Sequence, residues 1–320
     1  MAYTGTGQLI EATDFNGLAS ITIGGNVAWV WGTGWQRTGY GQDTSLLASV
    51  SVASTVTATQ WAGLVYTTNR ALGHQGQTQL GGGVGGANIN ITAGQTITYF
   101  ANVASAVTQV NTTRNSYFAV GTTVTGSNFT SSISFPDSTT NYGFAASRTV
   151  TFAGGANAVR YFFNGGGRLQ LVLTATNNNG TSRSADIVNL FQTWLAGSII
   201  YDANSAARTG TGGTLNTSNS SAGYYTLTTT PTLLANVSSN SATYTYQSDW
   251  ARILVNSNGT QGSTGDQGTA ITFTFGCGVA AQTNSNFNDA INVTLTSRVD
   301  IIFPETTYLN GTAWGTPTVA

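Results

Sequence analysis

Two hydrophobic rhythms divide the chain. In the first 120 residues the apolar positions recur at helical spacing. The stretch from Thr57 to Leu72 places Trp61, Leu64, Val65, Thr68 and Leu72 at intervals of three and four, one face of a helix. Thr57 and Gln60 match a capping box, in which hydroxyl and amide each satisfy an orphan backbone donor, and Gly73 is the expected stop. A second helix is predicted over 96–117, where Tyr99, Phe100, Val103, Ala106, Val107, Val110, Arg114 and Tyr117 repeat the pattern. A shorter helix start stands at Thr13-Asp14-Phe15-Asn16 with Phe15, Leu18 and Ala19 inward; Ile21-Thr22-Ile23-Gly24-Gly25 reads equally as a strand and turn. Between these lie a glycine-aromatic loop, Trp31 to Gln42, and a glycine tract, Leu80 to Gly86.

From about residue 128 the period becomes two. Strands are predicted at 132–135, 148–152, 160–163, 168–176, 224–230, 242–247, 251–255, 269–275 and 290–303. In the last of these Ile291, Val293 and Leu295 alternate with Asn292, Thr294 and Thr296. A helix over 184–195 interrupts the series, with Ile187, Val188, Leu190, Phe191, Trp194 and Leu195 at helical spacing. There is no fixed-period repeat. The predicted class is mainly β with an α-helical N-terminal module (α+β), and a β-sandwich or jelly-roll-like C-terminal region. Three parts are expected: a helical docking module (1–120), a β-rich middle domain (121–210) and a C-terminal β-sandwich (211–320), the last boundary falling in the polar stretch 204–222.

Composition sharpens this picture through charge. Of 320 residues only 7% are charged, against about 25% in ordinary soluble domains. All ten cations are Arg, and the net charge is −1. That balance gives no polyelectrolyte footprint for nucleic acid or an anionic membrane. No apolar run reaches the roughly 18 residues that a bilayer span needs, and the N-terminus lacks the basic and apolar regions of a signal peptide, so the expectation is a chain made in the cytoplasm and not secreted by that route. Surface polarity must come from Ser, Thr, Asn, Gln and Gly, and an uncharged surface keeps free monomers apart poorly.

Catalytic material is sparse. His74 is the only histidine and Cys277 the only cysteine, which excludes a Cys/His zinc site and a disulfide framework. His74 falls at a helix end, where the helix dipole gives it a structural role. The carboxylates Asp300 with Glu305, and Asp249 with Asp266, form no recognisable glycosidase pair. With no Lys and no strand–glycine–helix order there is no phosphate cradle, and neither Asp266 nor Asp289 has calcium-loop spacing. No catalytic residue, cofactor or metal site is expected. The aromatic residues Trp31, Trp35, Tyr40, Trp61, Tyr99 and Phe100 are the candidate interface. Intrachain core and intersubunit contact are equally compatible with them, and sugar stacking is a further alternative.

A series of short motifs resembles a known group. Ala12 to Leu18, Trp31-Gly32-Thr33-Gly34, Gly39-Tyr40-Gly41-Gln42, Val56 to Leu64, His74-Gln75-Gly76, Tyr161 to Leu171, and Asp186 to Leu195 followed by Ile199-Ile200-Tyr201 resemble virion structural proteins of tailed, contractile-tailed bacteriophages, notably cyanophages. The resemblance covers most of 9–203. It implies membership in the virion, with no enzymatic residues to carry over. The join of a compact helical segment to a larger, sparsely charged β region is what points to a neck- or tail-associated place, fibre- or adaptor-like. The chain's partners would be itself, as a trimer or hexamer, and other virion proteins. The alternatives are a receptor- or glycan-binding tail protein and a capsid decoration protein.

Overall fold

A computed structural model of the chain describes residues 10–20, 26–34, 39–82, 100–117, 119–136, 140–195, 197–211, 214–239, 248–259, 268–281 and 289–320. The expected strand 242–247, the segment Ile21–Gly25, and Trp35, Tyr99 and Asp266 lie outside these residues. Among the described residues the fold is mainly β, with strand outweighing helix (34% against 28%).

The N-terminal part contains α1 (Ala12–Ala19), α2 (Val27–Trp31), α3 (Ala58–His74) and α4 (Phe100–Thr112). Local chemistry sets their ends. Glu11 and Asp14 form a capping box on α1, Asn26 accepts from the Trp29 N–H at the start of α2, and Thr57 with Gln60 form the expected box on α3. Helix α3 does not stop at Gly73. It continues through His74 and closes in a Schellman motif: the Gln77 N–H bonds to the Leu72 carbonyl at 2.8 Å and the Gly76 N–H to that of Gly73 at 3.0 Å. Gly76 supplies the left-handed residue this requires, at φ 70°. Gly73 serves packing instead, since a Cβ there would lie 2.4 Å from the Tyr308 ring. Val103, Ala106, Val107 and Val110 of α4 are buried as predicted, but the helix ends at Thr112, before Arg114 and Tyr117.

Among the described residues twelve strands form two antiparallel sheets: β1 (Val120–Val124), β2 (Phe129–Phe135), β3 (Tyr142–Phe152), β4 (Arg168–Asn177), β5 (Ser198–Tyr201), β6 (Ala206–Arg208), β7 (Thr214–Ser218), β8 (Thr232–Ser238), β9 (Trp250–Ser257), β10 (Ala270–Val279), β11 (Ile291–Pro304) and β12 (Pro317–Val319). The first has the order β1-β11-β4-β5-β6, with β2 also on β11; the second is β12-β3-β10-β9-β8-β7. Both sheets draw strands from either side of the expected division at 210/211. Strand β11 pairs with β1, β2 and β4, and β3 pairs with β10, so early and late strands complete the same sheets. The polar stretch 204–222 holds β6 and β7 rather than a boundary.

Two further expectations are corrected by packing. Arg160–Phe163 is part of a helix, α5 (Ala158–Asn164), every residue of which is buried. A short apolar run enclosed on all sides has no period to distinguish helix from strand. Phe162 of α5 packs on Phe152, Phe303 and Trp314, and Phe163 on Tyr201 and Tyr224. Tyr224–Thr226 is a single 3-10 turn, since stacking of Tyr224 on Phe163 at 4.7 Å fixes it there, and the strand begins only after Pro231. The 184–195 helix is present as α6 (Ser182–Val188) continued by a π-helical segment, Asn189–Leu195. The Arg208 guanidinium bonds its last carbonyls, Trp194 and Leu195. Tyr201 of the first sheet meets Phe273 of the second edge-on at 5.7 Å, and one hydrophobic cluster runs from Phe15 in α1 to Trp314.

Candidate functional site

Of the sequence-predicted aromatic residues that are described, Trp31 packs against Tyr40 and Trp61 against Phe100. Trp31 closes α2 and meets Tyr40 edge-on at 6.2 Å, and Tyr40 meets the His74 ring at 4.8 Å. The Tyr40 hydroxyl accepts from Gln75 Nε2 at 2.8 Å and donates to the Arg114 carbonyl at 3.1 Å. Gln75 Nε2 also donates to the Val110 carbonyl at 2.8 Å, and its Oε1 accepts from Thr113 Oγ1 at 2.7 Å. The end of α3 is thus tied to the end of α4 by neutral hydrogen bonds through one glutamine. Trp61 stacks on Phe100 at 5.9 Å, 21° between planes. Trp31, Tyr40 and Trp61 are enclosed in the chain's own core and Phe100 is partly buried against it.

His74 is buried at the same place, and its Nε2 meets no hydrogen-bond partner among the described residues. Burial pushes its pKa down to about 4, because a charged imidazolium has no water there to solvate it. Burial likewise holds the Tyr40 phenol well above its ordinary range, with the Gln75 hydrogen bond opposing. Neutral at pH 7, His74 acts as a packed ring.

This aromatic centre continues into a seam with the β region. Gly41, at φ 68°, lets the backbone approach so closely that a Cβ would lie 2.5 Å from Ala313 and 2.6 Å from the Tyr161 ring. Gln42 clamps the C-terminal loop: its Oε1 accepts from the Asn310 N–H at 2.7 Å, and its Nε2 donates to the Gly311 carbonyl at 3.2 Å and the Tyr40 carbonyl at 2.9 Å. Asn164 of α5 donates to the Gly39 carbonyl at 2.8 Å and accepts from the Tyr225 hydroxyl at 2.6 Å. Arg160 Nη2 reaches the Thr33 carbonyl at 2.8 Å. The motif Gly39-Tyr40-Gly41-Gln42 is the central thread of this seam.

A second polar cluster had no signature in the sequence. Arg183 of α6 forms a fully buried bidentate pair with Asp249, Nε to Oδ2 at 2.9 Å and Nη2 to Oδ1 at 2.7 Å. Nη2 also reaches the Ala280 carbonyl at 2.7 Å, and Asp249 Oδ1 accepts from the Ala280 N–H at 3.0 Å. Asp186, one turn along α6, accepts from the Ser239 hydroxyl. Burial pushes the Asp186 carboxyl up, with the Ser239 hydrogen bond opposing. The pair lies 66 residues apart, and the only sequence signal was that an arginine and an aspartate interrupted otherwise uncharged surroundings. Cys277 lies near Asp249, and burial pushes its thiol up to about 12, which leaves it protonated and unreactive as a nucleophile. Asp300 is held by Arg298 and the Gly126 N–H, and Glu305 accepts from the Thr306 and Thr307 N–H groups.

Among the described residues five arginines lie over aromatic rings. Arg70 lies over Trp31 and Tyr66, Arg148 over Phe129 at 4.3 Å, Arg160 over Tyr161, Arg168 over Tyr117 and Arg252 over Trp250 at 4.8 Å. A planar guanidinium stacks on a ring where an ammonium presents only a point charge. Among the described residues no group of three or more His, Cys, Asp or Glu converges to hold a metal, and no helix is long and apolar enough to cross a membrane. The chain matches no family model, no curated protein and no solved structure.

Proposed function

We propose that this protein is a non-enzymatic structural component of a tailed-phage virion, neck- or tail-associated, acting through contacts with copies of itself and with other virion proteins. In this reading the two sheets form a sandwich of jelly-roll type, and the helical module docks it into the particle. The observation that carries the proposal is where the few charges go. Arg160, Arg183, Asp186, Asp249 and Asp300 are buried, while the exposed strands β1 and β7 carry no charge at all. Val120 and Val124 on β1, Leu215 on β7, and Val52 in the loop before α3 are exposed apolar side chains on these uncharged surfaces. Exposed strands without Lys, Glu or Pro lack the usual guards against pairing with another chain, and a surface of this kind is suited to permanent coverage.

Sedimentation over a wide concentration range tests the assembly. The expected result is a trimer or hexamer that weakens when Val120 and Val124 become Asp or Leu215 becomes Arg. A monomer at every concentration would remove self-assembly from the proposal. Density for the chain at the neck or tail of an intact particle is the expected result for location; density spread over capsid faces would move it to decoration. Free protein binding host cells or sugars would favour the receptor-binding alternative.

A further inference from the structure

The sequence contains five Asn-Gly dipeptides: at 16–17, 164–165, 179–180, 258–259 and 310–311. This dipeptide is chemically labile. Glycine has no side chain to obstruct its own backbone nitrogen from attacking the carboxamide carbon of the preceding asparagine. The attack needs an asparagine side chain that can swing toward that nitrogen, and hydrogen bonds to the carboxamide prevent the swing.

Four of the five side chains are pinned at both ends. Asn16 donates to the Val50 carbonyl and accepts from the Val50 N–H, both at 2.8 Å. Asn164 is held by the Gly39 carbonyl and the Tyr225 hydroxyl. Asn179 donates to the Ala290 carbonyl at 2.9 Å and accepts from Thr181, while the Gly180 N–H is itself engaged by Asn177. Asn258 donates to Thr269 Oγ1 at 2.7 Å and accepts from the Thr269 and Ala270 N–H groups. Asn310 differs. Its backbone N–H is bonded to Gln42, but among the described residues neither its carboxamide nor the Gly311 N–H makes a hydrogen bond. Both residues are exposed, and a Cβ at Gly311 would meet nothing within 4 Å.

We propose that Asn310-Gly311 is a site of spontaneous deamidation in the folded protein, and that the modification loosens the Gln42 clamp. The Gly311 nitrogen, losing its proton to solvent base, forms a bond to Asn310 Cγ. The Cγ–Nδ2 bond breaks and Nδ2 departs as ammonia, taking up a proton. Water then opens the resulting succinimide at one of its two carbonyls, giving aspartate or isoaspartate. Either product adds a negative charge beside Gln42 Oε1. Isoaspartate also inserts an extra main-chain carbon between the two groups that Gln42 spans, the residue-310 N–H and the Gly311 carbonyl, so both bonds cannot keep their geometry. The modification therefore acts where the C-terminal loop is fastened to the helical module.

Incubation of the folded chain at mildly alkaline pH, followed by peptide mapping with mass spectrometry, tests the site. Residue 310 should convert first, with the other four slower by about tenfold or more, the factor that opening a doubly hydrogen-bonded side chain imposes. In strong urea the five rates should converge. Conversion of any other Asn-Gly at the rate of 310 in folded protein would overturn the proposal, and so would a lead of 310 that persists undiminished in urea. The clamp is tested by separating the modified form on an ion exchanger and melting it beside the unmodified form, with Asn310→Gln as the control that resists conversion. The isoaspartate form should melt lower in the parent, and the difference should vanish in Gln42→Ala, where no clamp remains to lose. Equal melting of modified and unmodified parent, or a difference that survives in Gln42→Ala, would overturn the clamp.

Discussion

The helical module and the β region solve the burial of polar groups in opposite ways. Around Tyr40 the module buries neutral groups: a phenol, a glutamine amide and an uncharged imidazole, linked by hydrogen bonds and ring contacts. The β region buries ions, pinning α6 to the segments flanking β9 and β10 through Arg183 and Asp249. The ion pairs Arg183–Asp249 and Arg298–Asp300 lie in the β region. A neutral network loses little when one bond goes. A buried ion pair that loses one partner leaves a bare charge in a medium that cannot solvate it. The two regions therefore differ in which perturbations break them.

The largest effect is expected from breaking the ionic cluster on one side. Asp249→Ala removes both carboxylate bonds of the fully buried Arg183 guanidinium, and should lose about 3–5 kcal/mol of stability, a large share of the 5–15 kcal/mol typical of a folded protein. Urea denaturation measures it. The double variant Arg183→Met with Asp249→Leu should recover most of that loss, because it removes the charge together with its partner. If the double variant is as unstable as the single one, shape rather than charge compensation governs this site.

Acid separates the regions by sign. His74 has a folded pKa of about 4 against about 6.5 unfolded, so below pH 6.5 the unfolded chain binds the proton more readily. Its contribution is fully present above pH 6.5 and falls away as the pH drops toward 4, reaching about 3 kcal/mol. Asp186 acts the other way. Its folded pKa is raised by burial, so its contribution is present at pH values below the unfolded carboxylate range and is lost as the pH rises through the folded value. Urea denaturation from pH 7 to pH 4 should therefore show a loss of stability in the parent that His74→Phe largely removes. An unchanged slope in His74→Phe would mean that other groups carry the acid response.

How much of this could be read from sequence follows from the range of each interaction. The capping box of Thr57 with Gln60 and the inward face of α4 involve neighbours one turn apart, so spacing displays them. The alternation of β11 and β4 was legible for the same reason, since one face of each is buried. Helix α5 was not, because Val159, Phe162 and Phe163 are enclosed on every side and total burial erases periodicity. The Arg183–Asp249 pair and the Gln42 clamp join residues far apart in the chain, and no local pattern encodes them. Trp31 and Tyr40 read from sequence as candidate interface residues with intrachain core equally compatible, and both lie in the chain's own core.

Smaller effects refine the contrast at element ends. Gly76→Ala places a side chain at φ 70°, at the C-terminus of the helix that carries His74. The expected loss is about 1–2 kcal/mol, read as a lower melting temperature. Gly17→Ala, on the exposed side of α1 where a Cβ meets nothing within 4 Å, should instead stabilise slightly, by about 0.5–1 kcal/mol.

The smallest effect tests whether burial, rather than pairing as such, makes the ionic cluster matter. Arg298 and Asp300 pair at 2.9 Å, as close as the Arg183–Asp249 contacts, but the Arg298 side chain is 34% exposed where Arg183 is fully enclosed. Water solvates the partly exposed guanidinium whether or not it is paired, and ions in solution screen its attraction to the carboxylate. Asp300 also keeps its bond from the Gly126 N–H when the arginine is removed. Arg298→Gln should therefore cost no more than about 0.5–1 kcal/mol at low salt, shrinking toward zero in strong salt, while the loss in Asp249→Ala persists there. A cost for Arg298→Gln approaching that of Asp249→Ala, with no response to salt, would mean that Arg298 holds β11 through its stem and packing rather than its charge.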